Sequence, residues 1–114
     1  MPFIAVNVSG KATSAQKEEI KSSLGKVITL IPGKIEERLM IDISDNHALY
    51  MGGRELSHGA FVDVRLYKSA EFADKQKLAI EISGILNRVL DIPPEDIYLN
   101  YIEFETWGAK GTLK

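Results

Sequence analysis

Phe3 to Val8 alternates, with Ile4, Val6 and Val8 on one side and Ala5 and Asn7 on the other. A period of two over six residues predicts a strand. Ser9-Gly10-Lys11 breaks the run, and Thr13 followed by Gln16 has the form of a capping box, with Thr13 as N-cap and Gln16 reaching back. Beyond it the apolar positions change period. Ile20, Leu24, Val27, Ile28 and Ile31 line one face of a helix that Pro32-Gly33 ends. Gly25 inside that helix costs about 1 kcal/mol relative to Ala, which the packed face must outweigh. Arg38 to Ile43 alternates again, with Leu39, Ile41 and Ile43 inward, and Ser44 to Gly53 reads as a loop closed by Gly52-Gly53.

The second half repeats the plan. Ala60 to Leu66 sets Val62, Val64 and Leu66 opposite Phe61, Asp63 and Arg65. Ser69 is the expected N-cap of a second helix, whose Leu78, Ile82, Ile85, Leu86 and Val89 copy the apolar spacing of the first at an offset of 58 residues. Each helix leads into an Ile-Pro pair, Ile31-Pro32 and Ile92-Pro93, and Ile97 to Glu103 is the last main strand. Helices between strands require crossover connections, hence parallel pairing within each half. The expected fold is α+β: two pseudo-repeated β-α-β units in one four-stranded sheet, with both helices on one face.

Two helices cannot cover both faces of such a sheet. The other face is expected to carry Arg38, Met40, Asp42, Phe61, Asp63 and Arg65. These either meet solvent or line an oligomer's interior, where opposite charges on neighbouring strands can pair.

Length and composition narrow the function classes. The 114 residues make a single domain, 1–114, and the balance of 45% hydrophobic and 26% charged residues is that of a globular chain. The net charge is −2 and the basic residues are dispersed, which argues against nucleic acid as a partner. Without cysteine there is no disulfide, thiolate chemistry or Cys-ligated zinc. No signal peptide and no apolar run of about 20 residues is present, so no membrane partner is expected and the expected location is cytoplasmic.

A few residues have chemistry to offer. Met1-Pro2 exposes a secondary amine once the methionine is removed, and a dry pocket or a neighbouring cation lowers an amine's pKa enough for it to serve as a base at neutral pH. Lys34, just after Pro32-Gly33, is either a solvated lysine at a helix end or the partner of a carboxylate. Tyr98 and Asn100 share a strand face, and Asn is uncommon in strands. Taken singly, each has an ordinary surface reading. His47 and His58 have no partners at metal-ligand spacing, and Gly33-Lys34 lacks the flanking residues of a phosphate loop.

Together these features resemble the macrophage migration inhibitory factor family of the tautomerase superfamily, over nearly the whole chain. The resemblance rests on Pro2-Phe3-Ile4, Gly33-Lys34, Ala48-Leu49-Tyr50-Met51-Gly52-Gly53, Gly59-Ala60-Phe61-Val62-Asp63-Val64 and, most specifically, Ile92-Pro93-Pro94-Glu95-Asp96-Ile97-Tyr98-Leu99-Asn100-Tyr101. It implies a homotrimer with active sites between subunits and a phenylpyruvate tautomerase-like isomerase that uses no cofactor. In that scheme Pro2 is the general base for 1,3-proton transfer on an α-keto acid, and Lys34 holds the substrate carboxylate. Tyr98 and Asn100 reach in from the neighbouring subunit, the backbone of Tyr67 faces the substrate, and Trp107 stands at the pocket rim.

The departures bear on specificity. The tail reads Trp107-Gly108-Ala109-Lys110-Gly111-Thr112-Leu113-Lys114, losing a second aromatic and gaining two lysines. Arg38 stands where the mammalian cytokine has a pocket tyrosine, adding a cation that favours anionic substrates. His58-Gly59-Ala60-Phe61 replaces that cytokine's Cys-x-x-Cys. Two other readings stay open: a hydratase, dehalogenase or decarboxylase on the same scaffold, and a non-enzymatic cytokine-like or binding protein if Met1 is retained.

Overall fold

The computed structural model describes residues Met1–Lys114. In chain order its main elements are β1 (Pro2–Val8), α1 (Ser14–Val27), β2 (Met40–Ser44), a hairpin of β3 (Tyr50–Met51) and β4 (Arg54–Glu55), β5 (Ala60–Tyr67), α2 (Phe72–Leu90), β6 (Ile97–Phe104), and a final hairpin of β7 (Gly108–Ala109) and β8 (Thr112–Leu113). The four long strands form one sheet in the order β2-β1-β5-β6. Pairing is parallel within each β-α-β half and antiparallel where β1 meets β5. The expected architecture is therefore the observed one.

Alternation decides which face is buried. Ile4, Val6 and Val8 of β1 and Val62, Val64 and Leu66 of β5 point to the helices and are at most 1% exposed. Ile20 and Leu24 of α1, Ile28 just beyond it, and Leu78, Ile82 and Leu86 of α2 cover them in a single apolar cluster. The duplicated Ile-Pro exits are structurally equivalent too, since Ile31 and Ile92 are both sealed in this core. The opposite face has no cover: Met40 is 68% exposed and Tyr98 61%, and Phe61 and Ile102 are also open.

Local chemistry sets the ends of the elements. The capping box forms as expected, with Gln16 N–H donating to Thr13 Oγ1 and Thr13 N–H to Gln16 Oε1. Asp45 ties the end of β2 to the start of α1 by accepting from Ala12 N–H at 2.9 Å. That bond, with the Lys17 charge, holds the Asp45 carboxyl below its ordinary range. Ser69 does not cap α2. The helix starts three residues later, after Glu71, which makes no capping bond. A distant carboxylate takes over the role: Glu103 on β6 accepts from Ala70 N–H at 2.8 Å and pairs with Lys75 at 3.1 Å. Arg38 is not on a strand. A 3-10 turn over Glu36–Arg38 precedes β2, and the Glu36 side chain lies across the space that a Cβ on Gly25 would take. The expected loop before Gly52-Gly53 contains β3, with the two glycines as the hairpin turn.

α2 ends on Asp91 in the left-handed conformation (φ 57°), whose N–H bonds back to the Asn87 and Leu86 carbonyls. A side chain is strained there and glycine is not. Asp91→Gly is expected to raise stability by about 0.5–1 kcal/mol. Urea unfolding checks this; an unchanged or lower midpoint contradicts it.

Candidate active site at the start of the chain

Because β1 lies between β2 and β5, the chain begins inside the sheet. Pro2 is buried and sits in register with Leu66. The ladder reaches one residue further, with Tyr67 N–H donating to the Met1 carbonyl at 3.1 Å. Lys34, placed by the Pro32-Gly33 break after the first helix, donates from Nζ to the Tyr67 carbonyl at 2.9 Å. Lys34, Tyr67 and the first two residues thus form one connected group. A cleft of about 310 Å³ opens beside it, lined by Ile31, Pro32, Lys34, Tyr67, Lys68 and Ser69 and, towards α2, by Ala70, Glu71 and Asp74. Pro2 does not line this cleft; Lys34 and Tyr67 join the two.

The electrostatics favour an uncharged amine. The N-terminal amine, here that of Met1, is lowered from 8.0 to about 5. Burial is the largest cause, because a half-dry site disfavours the ammonium form. Lys34 comes next, by hydrogen bonding and by its charge, followed by the charges of Arg38 and Lys114.

Four further residues complete the picture. Trp107 packs its ring on Tyr67 (6.4 Å between centroids) and edge-on to Phe104 (6.0 Å), forming an aromatic wall. Arg38 lies close enough for its charge to act on the amine. Tyr98 and Asn100 do not join the group within one chain. Glu103 shares the row of Leu66 and Pro2, so Asn100 lies about 10 Å and Tyr98 about 17 Å along β6 at 3.3–3.4 Å per residue. Both are exposed, at the uncovered edge of the open face. There Tyr98 neighbours Phe61, and Asn100 neighbours Asp63. Asp63 pairs with Arg65 of its own strand at 3.0 Å, not across strands, and leaves its Oδ1 buried without a partner.

In the sequence Lys114 stands out only as one of two lysines gained in the tail. The fold shows that a final hairpin returns the tail to Trp107. No three His, Asp or Glu side chains gather to hold a metal ion, and no helix is long and apolar enough to cross a membrane.

No family model matches this chain, and no curated protein does. Solved structures do. MIF2 of Leishmania major superposes with a TM-score of 0.92 at 23% identity, covering 100% of this chain and 97% of that one. Pt0534 inactivated by 2-oxo-3-pentynoate gives 0.85 at 12% identity, covering 96% and 93%. A fused 4-OT, a wild-type symmetric trimer, gives 0.79 at 15% identity, covering 90% and 85%. The chain therefore has the tautomerase-superfamily fold. The likeness to MIF2 runs over the whole of this chain.

The amine's titration is directly measurable. In the full chain, its reaction with an acylating reagent is expected to rise with pH through a midpoint at about 5, since only the uncharged form reacts. Lys34→Met is expected to move the midpoint up without restoring 8.0, because burial remains the largest cause. A wild-type midpoint at 8 contradicts the electrostatic account.

Proposed function

We propose that this protein is a cofactor-free tautomerase of the macrophage migration inhibitory factor family, moving a proton between carbon and oxygen of phenylpyruvate-like α-keto acids. The observation that carries this is the buried chain start beside Lys34, where an amine titrates at about 5. With Met1 removed, the secondary amine of Pro2 takes up this environment and is uncharged at neutral pH. It is then a base able to take a proton from the carbon next to the keto group. Lys34 binds the substrate carboxylate. Loss of Met1 also removes the carbonyl that Tyr67 N–H now bonds, which frees a backbone donor toward the substrate. Trp107 closes the side of the pocket.

The site is incomplete in one chain. The uncovered sheet face, with Met40, Phe61, Tyr98 and Ile102 open, supports assembly as a homotrimer in which Tyr98 and Asn100 of a neighbour complete each pocket. There a hydrogen bond to the oxygen that gains charge stabilises the enolate-like transition state. The proposed setting is the cytoplasm, with a small-molecule substrate and neither nucleic acid nor membrane as partner.

The test is the keto–enol absorbance change of phenylpyruvate. Pro2→Ala is expected to lower kcat/KM by about 10²-fold or more, the usual contribution of a positioned base. Equal rates in the two proteins remove the mechanism. Intact mass should show a chain beginning at Pro2, and a retained methionine removes Pro2 as the base, because an amide nitrogen is not basic.

A further inference from the structure

Two carboxylates accept from a main-chain N–H of a distant segment, and they are copies of one another. Asp45 accepts from Ala12 N–H at 2.9 Å and pairs with Lys17 at 3.4 Å. Glu103 accepts from Ala70 N–H at 2.8 Å and pairs with Lys75 at 3.1 Å. All three members of the tie recur at the offset of 58 residues that relates the two halves. In each half a carboxylate near the end of the second strand pins the chain two residues before the helix.

The copies are not equally loaded. The start of α1 also has the Thr13–Gln16 capping box, whereas Glu71 before α2 makes no capping bond. Glu103 is the only side chain that accepts from the main chain entering α2. Their positions differ too. Asp45 follows Ser44, which is in register with Asn7, at the end of β1 away from Pro2. Glu103 shares a row with Leu66 and Pro2, and the Ala70 it holds lines the cleft.

One turn separates Ala70 from the site. Lys68 leaves β5 in a left-handed conformation (φ 70°), which a lysine keeps only where its surroundings hold it. Two bonds to β6 do so: Lys68 N–H donates to the Phe104 carbonyl at 2.7 Å, and Ala70 N–H donates to Glu103. The Tyr67 carbonyl belongs to the same planar peptide unit as the Lys68 N–H, so the two point in opposite directions. With the N–H turned to β6, the carbonyl is turned to Lys34, from whose Nζ it accepts at 2.9 Å. A shift of the turn rotates that unit and moves Lys34.

We propose that Glu103 is a positioning residue for the site: by holding Ala70 N–H it fixes the turn out of β5, and through the Tyr67–Lys68 peptide it sets where Lys34 receives the substrate carboxylate. This rests on the proton-transfer reading above and adds to it a residue that touches no reacting atom. Asp45 has the same chemistry at the other end of the sheet and supplies the internal control.

The experiment is phenylpyruvate turnover by Glu103→Ala, Glu103→Gln, Asp45→Ala and Asp45→Asn, with urea unfolding of each. Glu103→Ala is expected to raise KM by about five- to tenfold and to change kcat by less than about twofold, since a misplaced Lys34 weakens ground state and transition state alike. Glu103→Gln keeps an acceptor for Ala70 N–H without the charge, and its KM is expected between wild type and Glu103→Ala. Both Asp45 variants are expected to lower the unfolding midpoint while KM and kcat stay at the wild-type values. An unchanged KM at position 103, or the same rise at position 45, overturns the assignment and leaves the proton-transfer reading intact. If either alanine variant does not fold, Glu103→Gln and Asp45→Asn decide by the same comparison. No turnover by the wild type removes that reading, and the positioning role falls with it.

Discussion

The chain begins in the middle of a sheet, and that constraint shapes the rest of the molecule. A first strand at an edge would leave its amine in water, where it titrates near 8. Here β1 lies between β2 and β5, so the ladder bond from Tyr67 and the reach of Lys34 enclose the first residues. The antiparallel join of the two β-α-β halves is what brings the end of β5 to the start of β1. The same join delivers Lys68, Ser69 and Ala70 to the cleft rim. The rim is held from β6, where Glu103 fixes the Ala70 N–H and the Phe104 carbonyl accepts from Lys68 N–H at 2.7 Å. Fold and chemistry therefore share one cause: the core face of the sheet locks the register, and the register aims the chain start.

Charge is distributed unevenly around this frame. Glu103, helped by the Ala70 N–H and by Lys75, is held below the usual carboxylate range. Tyr101, half-buried with its hydroxyl donating to the Lys75 carbonyl, is pushed up by burial. Such groups secure the scaffold. Lys34 secures the Tyr67 carbonyl, and its charge, with those of Arg38 and Lys114, favours the uncharged form of the amine at the chain start. The open face of the sheet is unfinished. Asp63 keeps one buried oxygen without a donor, and large apolar side chains stand open around it.

Much of the architecture was legible because it depends on period. The two amphipathic helices, the alternating strands and the repeated Ile-Pro exits all follow from which positions must be buried, and each is observed. The failures lie where a distant partner overrides a local signal. Ser69 had the chemistry of an N-cap, but Glu103, 34 residues away, supplies the acceptor to Ala70. Arg38 had the alternation of a strand residue, yet it sits in a 3-10 turn. Pro2, Lys34, Tyr67 and Trp107 could be named from the sequence and are brought together. Tyr98 and Asn100 could be named, but a single chain keeps them apart from Pro2. Lys114 could be read as a lysine gained in the tail but could not be placed, because nothing local shows that the last hairpin folds back onto Trp107.

The central claim is that a neutral secondary amine at Pro2 is the reactive group of this pocket. Mapping the adduct formed with 2-oxo-3-pentynoate, the compound that inactivates the structurally similar Pt0534, tests it most directly. At pH 6.5 ordinary lysines are almost wholly protonated, whereas burial and the Lys34 charge favour the uncharged form of an amine at the chain start. The account predicts one adduct per chain, on the peptide that begins with Pro2. Labelling spread over the lysines, or no labelling of that peptide, would contradict it.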